Sequence, residues 1–244
     1  MKPVLFVSGL LLAATAAHAE TVKPWQTSAE LGAITTSGNT SGTSVTGKID
    51  ARQETTNWSN EYILSAFFKE DSKKDANGDT YTEKAAEKYM VSAKGGYKLD
   101  NDHGKLFMLG SHTRDEFGAY LDYSLFAAGY GDRLFQSDNV VIEGEVGPGY
   151  YIGKTSDDVK ETGMMLRTAA SLEWTISSSA KFRQTLSYEA GADNKRTIAE
   201  SSISTKINGS MQMKAAFLAQ HDSLVPMGKK STDTQTSLTL VYSF

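Results

Sequence analysis

Apolar and polar residues alternate along much of this chain, most clearly at its end. Across residues 234–244, Thr236, Leu238, Leu240, Tyr242 and Phe244 share one face, and Gln235, Ser237, Thr239, Val241 and Ser243 the other. A period of two is the pattern of a strand with one apolar and one wet side. The same alternation predicts strands over 25–36, 43–54, 58–69, 83–99, 105–114, 122–135, 140–152, 161–175, 180–190, 196–207 and 210–220. Glycines blur the period in the fifth and sixth of these. In the third, Ile63 and Phe67 fall on the face that also carries Glu61 and Ser65.

Turn chemistry separates the segments: a Ser/Gly/Asn/Thr cluster at 37–42, a tight turn at Asn57, and the hairpin dipeptide Asn208-Gly209. Residues 70–82 and 221–232 are expected to be long polar loops. On these boundaries, odd-numbered connections run about six to thirteen residues and even-numbered ones about three to five. Long external loops and short periplasmic turns are the habit of outer-membrane barrels. Strands of about 10–14 residues also exceed the usual five or six of soluble proteins and suit a bilayer crossing. The expected fold is therefore all-β: a single antiparallel transmembrane β-barrel of about twelve strands in an up-and-down meander. With both termini periplasmic, Trp25, Trp58, Trp174, Tyr97 and Phe244 all fall at periplasmic strand ends, where an aromatic girdle belongs.

The N-terminus agrees with export. Lys2, an apolar run from Val4 to Ala17 and Ala17-His18-Ala19 have the order of a secretory signal peptide. The run is too short for the roughly 20 residues a spanning helix needs. Cleavage would remove 1–19, leave 20–244 as the barrel and move the net charge from −4 to −5. That balance gives no support for nucleic-acid binding. The absence of cysteine means that no disulfide staples the fold. A mean hydropathy of −0.37 is compatible with a barrel in which alternate residues face lipid.

The face opposite the apolar one becomes the lumen, and it carries both signs of charge. Folding about the turn at Ser178 places Glu173 opposite Arg183. The connection at Ser156 places Glu145 beside Arg167, and the Asn57 turn brings Arg52 towards Glu61. These six residues are the expected lumen charge network. They can either neutralise one another within a filled barrel or select solutes in an open one. Catalysis is not expected: Ser111 and His112 are adjacent on a strand and point to opposite faces. A hydrolase using His112 with a distant Ser or Asp is the weakest alternative. The segment Asp75-Ala76-Asn77-Gly78-Asp79 begins like a calcium loop but has Thr80 at position six and Ala86 at position twelve, so it reads as a solvated loop. No metal or cofactor is expected.

The closing segment resembles the last strand of bacterial outer-membrane barrels. There Leu238, Leu240, Tyr242 and Phe244 would be the assembly signal read by the barrel assembly machinery. Several further pieces resemble the YdiY-type salt-induced outer-membrane proteins. They are Glu30-Leu31-Gly32 with Ser37-Gly38-Asn39-Thr40, Arg114-Asp115-Glu116-Phe117 with Tyr120, Ala128-Gly129-Tyr130-Gly131, and Glu145 through Tyr150. Asp233-Thr234 and Tyr242-Ser243-Phe244 complete the set. The resemblance implies a barrel in the bacterial outer membrane, surrounded by lipid and linked by name to salt stress; it implies no reaction. The expected function is a narrow passive channel for ions or small polar solutes. The alternative is a non-conducting envelope protein with a packed polar lumen.

Overall fold

The computed structural model describes residues 25–36, 41–75, 77, 79–100 and 103–244. The expected signal peptide (1–19) and the Ser37–Thr40 turn lie outside the described residues. Twelve strands follow in order: Trp25–Thr36 (β1), Ser41–Glu54 (β2), Trp58–Lys74 (β3), Thr80–Lys98 (β4), Gly104–Asp115 (β5) and Tyr120–Gln136 (β6). Then come Val140–Thr155 (β7), Lys160–Thr175 (β8), Ala180–Gly191 (β9), Lys195–Lys206 (β10), Met211–Asp222 (β11) and Thr232–Ser243 (β12). Each pairs antiparallel with its neighbours in sequence, and β12 returns to β1 to close the barrel. Closure gives both terminal strands a partner, which a sheet needs when its surroundings cannot supply hydrogen bonds.

The two walls differ as the alternation requires. Leu31, Leu64, Val91, Met108, Met164, Leu186 and Leu238 stand exposed on the outer wall. At the end that holds both termini, the near end, Trp25 stacks on Tyr62 with centroids 6.0 Å apart and Trp58 meets Tyr97 edge-on at 5.4 Å. Towards the other, far end, Phe68 meets Tyr89 at 5.3 Å. Aromatic pairs therefore stand towards both borders of the apolar band, where a wall that crosses a bilayer places them. No described helix is long and apolar enough to cross a membrane.

Two sequence expectations are corrected. Residues 70–82 do not form a long loop: β3 and β4 continue as a paired ribbon to Lys74 and Thr80, past a register shift at Lys69/Glu70. Here both faces are polar, so the pairing leaves no hydrophobic period to read. The Asp75 carboxylate accepts hydrogen bonds from the Asn77 and Asp79 amides and forms the tip. The second correction follows from the first. Connections at the two ends are similar in length, except the long one between Asp222 and Thr232. The inequality lies in strands that project beyond the apolar band, not in loops.

The closing seam is short. β1 pairs with β12 only from Ser28↔Ser243 to Leu31↔Leu240, while β1 pairs with β2 along its whole length. Elsewhere backbones approach unusually closely. A Cβ on Gly147 would lie 2.1 Å from the Ala128 carbonyl oxygen, and one on Gly129 equally close to that of Val146. Side chains at these two inward positions would force β6 and β7 apart. Their absence leaves room over the wall for Phe107, the register partner of Gly129, which is buried inside the lumen.

Candidate functional site: the charged lumen

The inner wall has two storeys. In the near half, Arg52 lies beside Glu61 on the neighbouring strand (Nη2 to Oε1, 3.1 Å) and Asp50 on its own (3.4 Å). Its Nη1 also lies 3.8 Å from Glu173 Oε1, which joins β2 to β8 half-way round the barrel. Arg183 faces Glu173 in direct register at 3.1 Å. Arg52 is 33% exposed, Arg183 37% and Glu173 45%, so this storey is wet.

Slightly deeper, Glu145 is a hub. Lys94 donates to it at 2.8 Å, Lys105 lies at 3.7 Å and Arg167 at 3.5 Å. Its side chain is only 8% exposed, and three surrounding cations supply the compensation that a shielded carboxylate requires. On the opposite arc Lys214 bridges Glu30 and Glu200, both at 3.3 Å. The structure thus brings together each of the three pairs read from the hairpins. Glu173 and Arg183 are strict cross-strand partners, as are Arg52 and Glu61. Arg167 stands one row along from Glu145, opposite Gly147.

The far half holds a cluster that the hairpin reading missed. Tyr120, Tyr123 and Tyr151 pack in sequence, with centroids 5.4 and 5.8 Å apart. The Arg196 guanidinium lies over the Tyr123 ring at 3.9 Å and near that of Tyr120 at 5.3 Å. Arg196 Nε is 3.0 Å from Asp222 Oδ1, off the line of a hydrogen bond, while Nη2 donates to Oδ2 at 3.4 Å. Tyr123 donates to Glu189 at 2.8 Å and Tyr120 to Glu161 at 2.6 Å. Asn194 donates to Asp222 at 3.0 Å and accepts from the Leu224 amide at 3.1 Å, tying the connection between β11 and β12 across the far mouth. Val225 of that connection packs against the cluster of Phe107, Leu125, Ala127, Tyr151 and Met165. One side of the far lumen is therefore filled by side chains.

A signal for the central pair was present: Arg196 and Asp222 stand at equal distances from Gly209 and become cross-strand partners when the chain folds there. The tyrosines left no comparable signal: Tyr120 falls outside the expected sixth strand, Tyr123 lies in its glycine-blurred alternation, and Tyr151 comes from β7. The three described histidines are dispersed. His103 meets Asp132 at 2.6 Å, His221 meets Thr232 at 2.9 Å, and His112, on the outer wall, meets Ser124 at 2.8 Å. Among the described residues no group of three or more His, Cys, Asp or Glu side chains is placed to hold a metal.

Comparison with known proteins agrees with this architecture. The uncharacterized protein YdiY of Escherichia coli K12 is 27% identical over 222 residues, covering 91% of this chain and 84% of its own. Two solved structures share the fold at low identity. The NanC porin has a TM-score of 0.53 at 8% identity and covers 89% of this chain and 98% of its own. An outer membrane channel of Pseudomonas putida F1, of the type COG4313, has a TM-score of 0.52 at 11% identity and covers 93% and 97%. A closed antiparallel barrel with an apolar outer wall and a charged inner one is a protein of the bacterial outer membrane. The family model described as "Protein of unknown function, DUF481" matches residues 29–244, and the chain belongs to that family.

Proposed function

We propose that the barrel is a narrow passive channel for ions and small polar solutes, its width set by charged side chains that meet across the lumen. The observation that carries this reading is the Arg52–Glu173 contact. Two strands half a circumference apart reach each other through partly exposed, oppositely charged groups. Partly exposed charge inside the near half of the lumen calls for water around it, and a ring of both signs is the kind of lining that sets ion preference. Two structural neighbours are named a porin and a channel, which supports the reading by analogy. A link to salt follows naturally, because partly exposed pairs weaken as ionic strength rises.

A second reading has its own observation. Glu145, Arg167, Arg196 and Asp222 are nearly shielded, as in a filled barrel that does not conduct. Charge variants in planar bilayers separate the two. Replacing both Arg52 and Glu173 with Ala should raise single-channel conductance severalfold, and Glu173→Ala alone should shift the reversal potential towards anions. Currents that ignore both changes would reject this constriction.

In the proposed orientation the near end is periplasmic and the far end external. Export would use the 1–19 leader through the secretion system. The outward-facing Leu238, Leu240, Tyr242 and Phe244 would serve as the signal to the barrel assembly machinery.

A further inference from the structure

The outer wall holds a constellation unrelated to the lumen. On β5 and β6, His112 and Ser124 are direct register partners, and Arg114 and Asp122 are the next outward-facing pair. His112 Nδ1 lies 2.8 Å from Ser124 Oγ, and its Nε2 lies 3.8 Å from Asp122 Oδ1. A neutral imidazole with its proton on Nε2, towards Asp122, presents the Nδ1 lone pair to the Ser124 hydroxyl. That is the order nucleophile, base and orienting carboxylate required for acyl transfer. Catalytic contacts of this kind are often long until substrate arrives, which accommodates the 3.8 Å step.

The rows on either side say what the substrate is. Towards the membrane centre the outward row is Gly110, Phe126, Tyr150 and Met164, in register across four strands, with Phe126 and Met164 well exposed. His112 and Ser124 share their own row with Val91 and Ile152. The next row towards the far end is Arg114, Asp122, Lys154 and Lys160. Within three rows the wall passes from acyl-chain chemistry, through the Ser–His pair, to a basic belt able to pair with phosphate. The ester bonds of a glycerophospholipid lie between its acyl chains and its phosphate, so the pair sits at the matching depth whichever leaflet the far end meets.

We propose that Ser124 and His112 are the catalytic residues of a phospholipid acyl hydrolase on the outer wall, with Asp122 as the positioning residue and Arg114, Lys154 and Lys160 holding the phosphate. Ser124 Oγ attacks the ester carbonyl carbon as its proton passes to His112 Nδ1. The carbon–oxygen bond to the glycerol breaks, and His112 returns that proton to the departing glycerol oxygen. Water then attacks the acyl-Ser124 ester, its proton again going to His112. The serine hydroxyl is restored and a free fatty acid leaves. Overall one ester and one water give one acid and one alcohol, with no further reactant.

The test uses the folded full-length barrel in mixed micelles with dioleoylphosphatidylglycerol, with released oleate measured by mass spectrometry. The unmodified protein should release oleate steadily. Ser124→Ala and His112→Asn should be slower by about a hundredfold or more, in line with loss of a nucleophile or base. Asp122→Asn should lower kcat by about tenfold with KM unchanged, and Asp122→Glu should recover part of that loss. A merely structural Asp122 would instead lower the folded fraction and leave kcat per folded barrel in place. Ser124→Ala should keep the single-channel behaviour of the parent, so failure of the channel reading and failure of this one are separable. A fluorophosphonate probe on the unmodified protein gives a readout independent of variant folding: it should label Ser124. Oleate release no faster than from Ser124→Ala, or no probe on Ser124, overturns the proposal.

Discussion

Two arginines in the same lumen should respond very differently to removal. Arg196 and Asp222 have side chains only 9% and 4% exposed, and Arg196 also covers the faces of Tyr123 and Tyr120. Arg196→Ala strands the nearly shielded Asp222 carboxylate, with Asn194 and Gln220 as its remaining side-chain donors among the described residues. Breaking a shielded pair from one side costs about 3–5 kcal/mol. Arg183 and Glu173 form a pair of similar length but are 37% and 45% exposed. Water replaces the lost partner there, and Arg183→Ala should cost about 0–1 kcal/mol. The assay is reversible urea unfolding of the barrel in phospholipid vesicles, followed by the fluorescence of Trp25, Trp58 and Trp174. A double-mutant cycle on Arg196 and Asp222 isolates the pair energy. Exchanging both partners for Met and Asn, which removes both charges, should lose less than Arg196→Ala alone. Equal losses for Arg196→Ala and Arg183→Ala would show that the two storeys of the lumen do not differ in hydration, contrary to the reasoning here.

Three further outcomes follow. Gly147→Ala should destabilise the barrel by about 1–3 kcal/mol, or block folding, because its methyl meets the Ala128 carbonyl 2.1 Å away; the loss of the heat-modifiable band on a gel reports it. Leu240→Asp places a charge on the lipid face at the last rung of the four-pair seam, so it should leave export intact and lower membrane-resident protein; normal levels would count against the closing-strand role. Single cysteines at Asn77, Ser156 and Met227 should react with an impermeant thiol reagent on whole cells, and those at Asn57, Ser178 and Asn208 should not; the reverse pattern inverts the orientation.

Where one wall met lipid and the other met charge, the sequence carried the fold in legible form. β1, β8 and β9 end within a residue of where the alternation places them. The register of Glu173 with Arg183 follows from counting outward from a tight turn. The ribbon of β3 and β4 was illegible because it has water on both sides, so no alternation marks it. The far tyrosine cluster was illegible for a different reason. Its residues come from strands that are not neighbours in the sheet, such as Tyr123 of β6 and Glu189 of β9. Hairpin counting reports only adjacent strands. His112 is a different case: its partner Ser124 is on the adjacent strand β6, but the connection between β5 and β6 carries no turn dipeptide from which to count the register.

The most direct test of a water-filled, charge-bridged lumen is the single-channel current of the purified barrel in a planar lipid bilayer. The account predicts discrete steps, small beside those of a wide porin, that grow more steeply than bulk conductivity with salt as the Arg52–Glu173 bridge weakens. A membrane that holds folded protein and stays silent from low to high salt would contradict it.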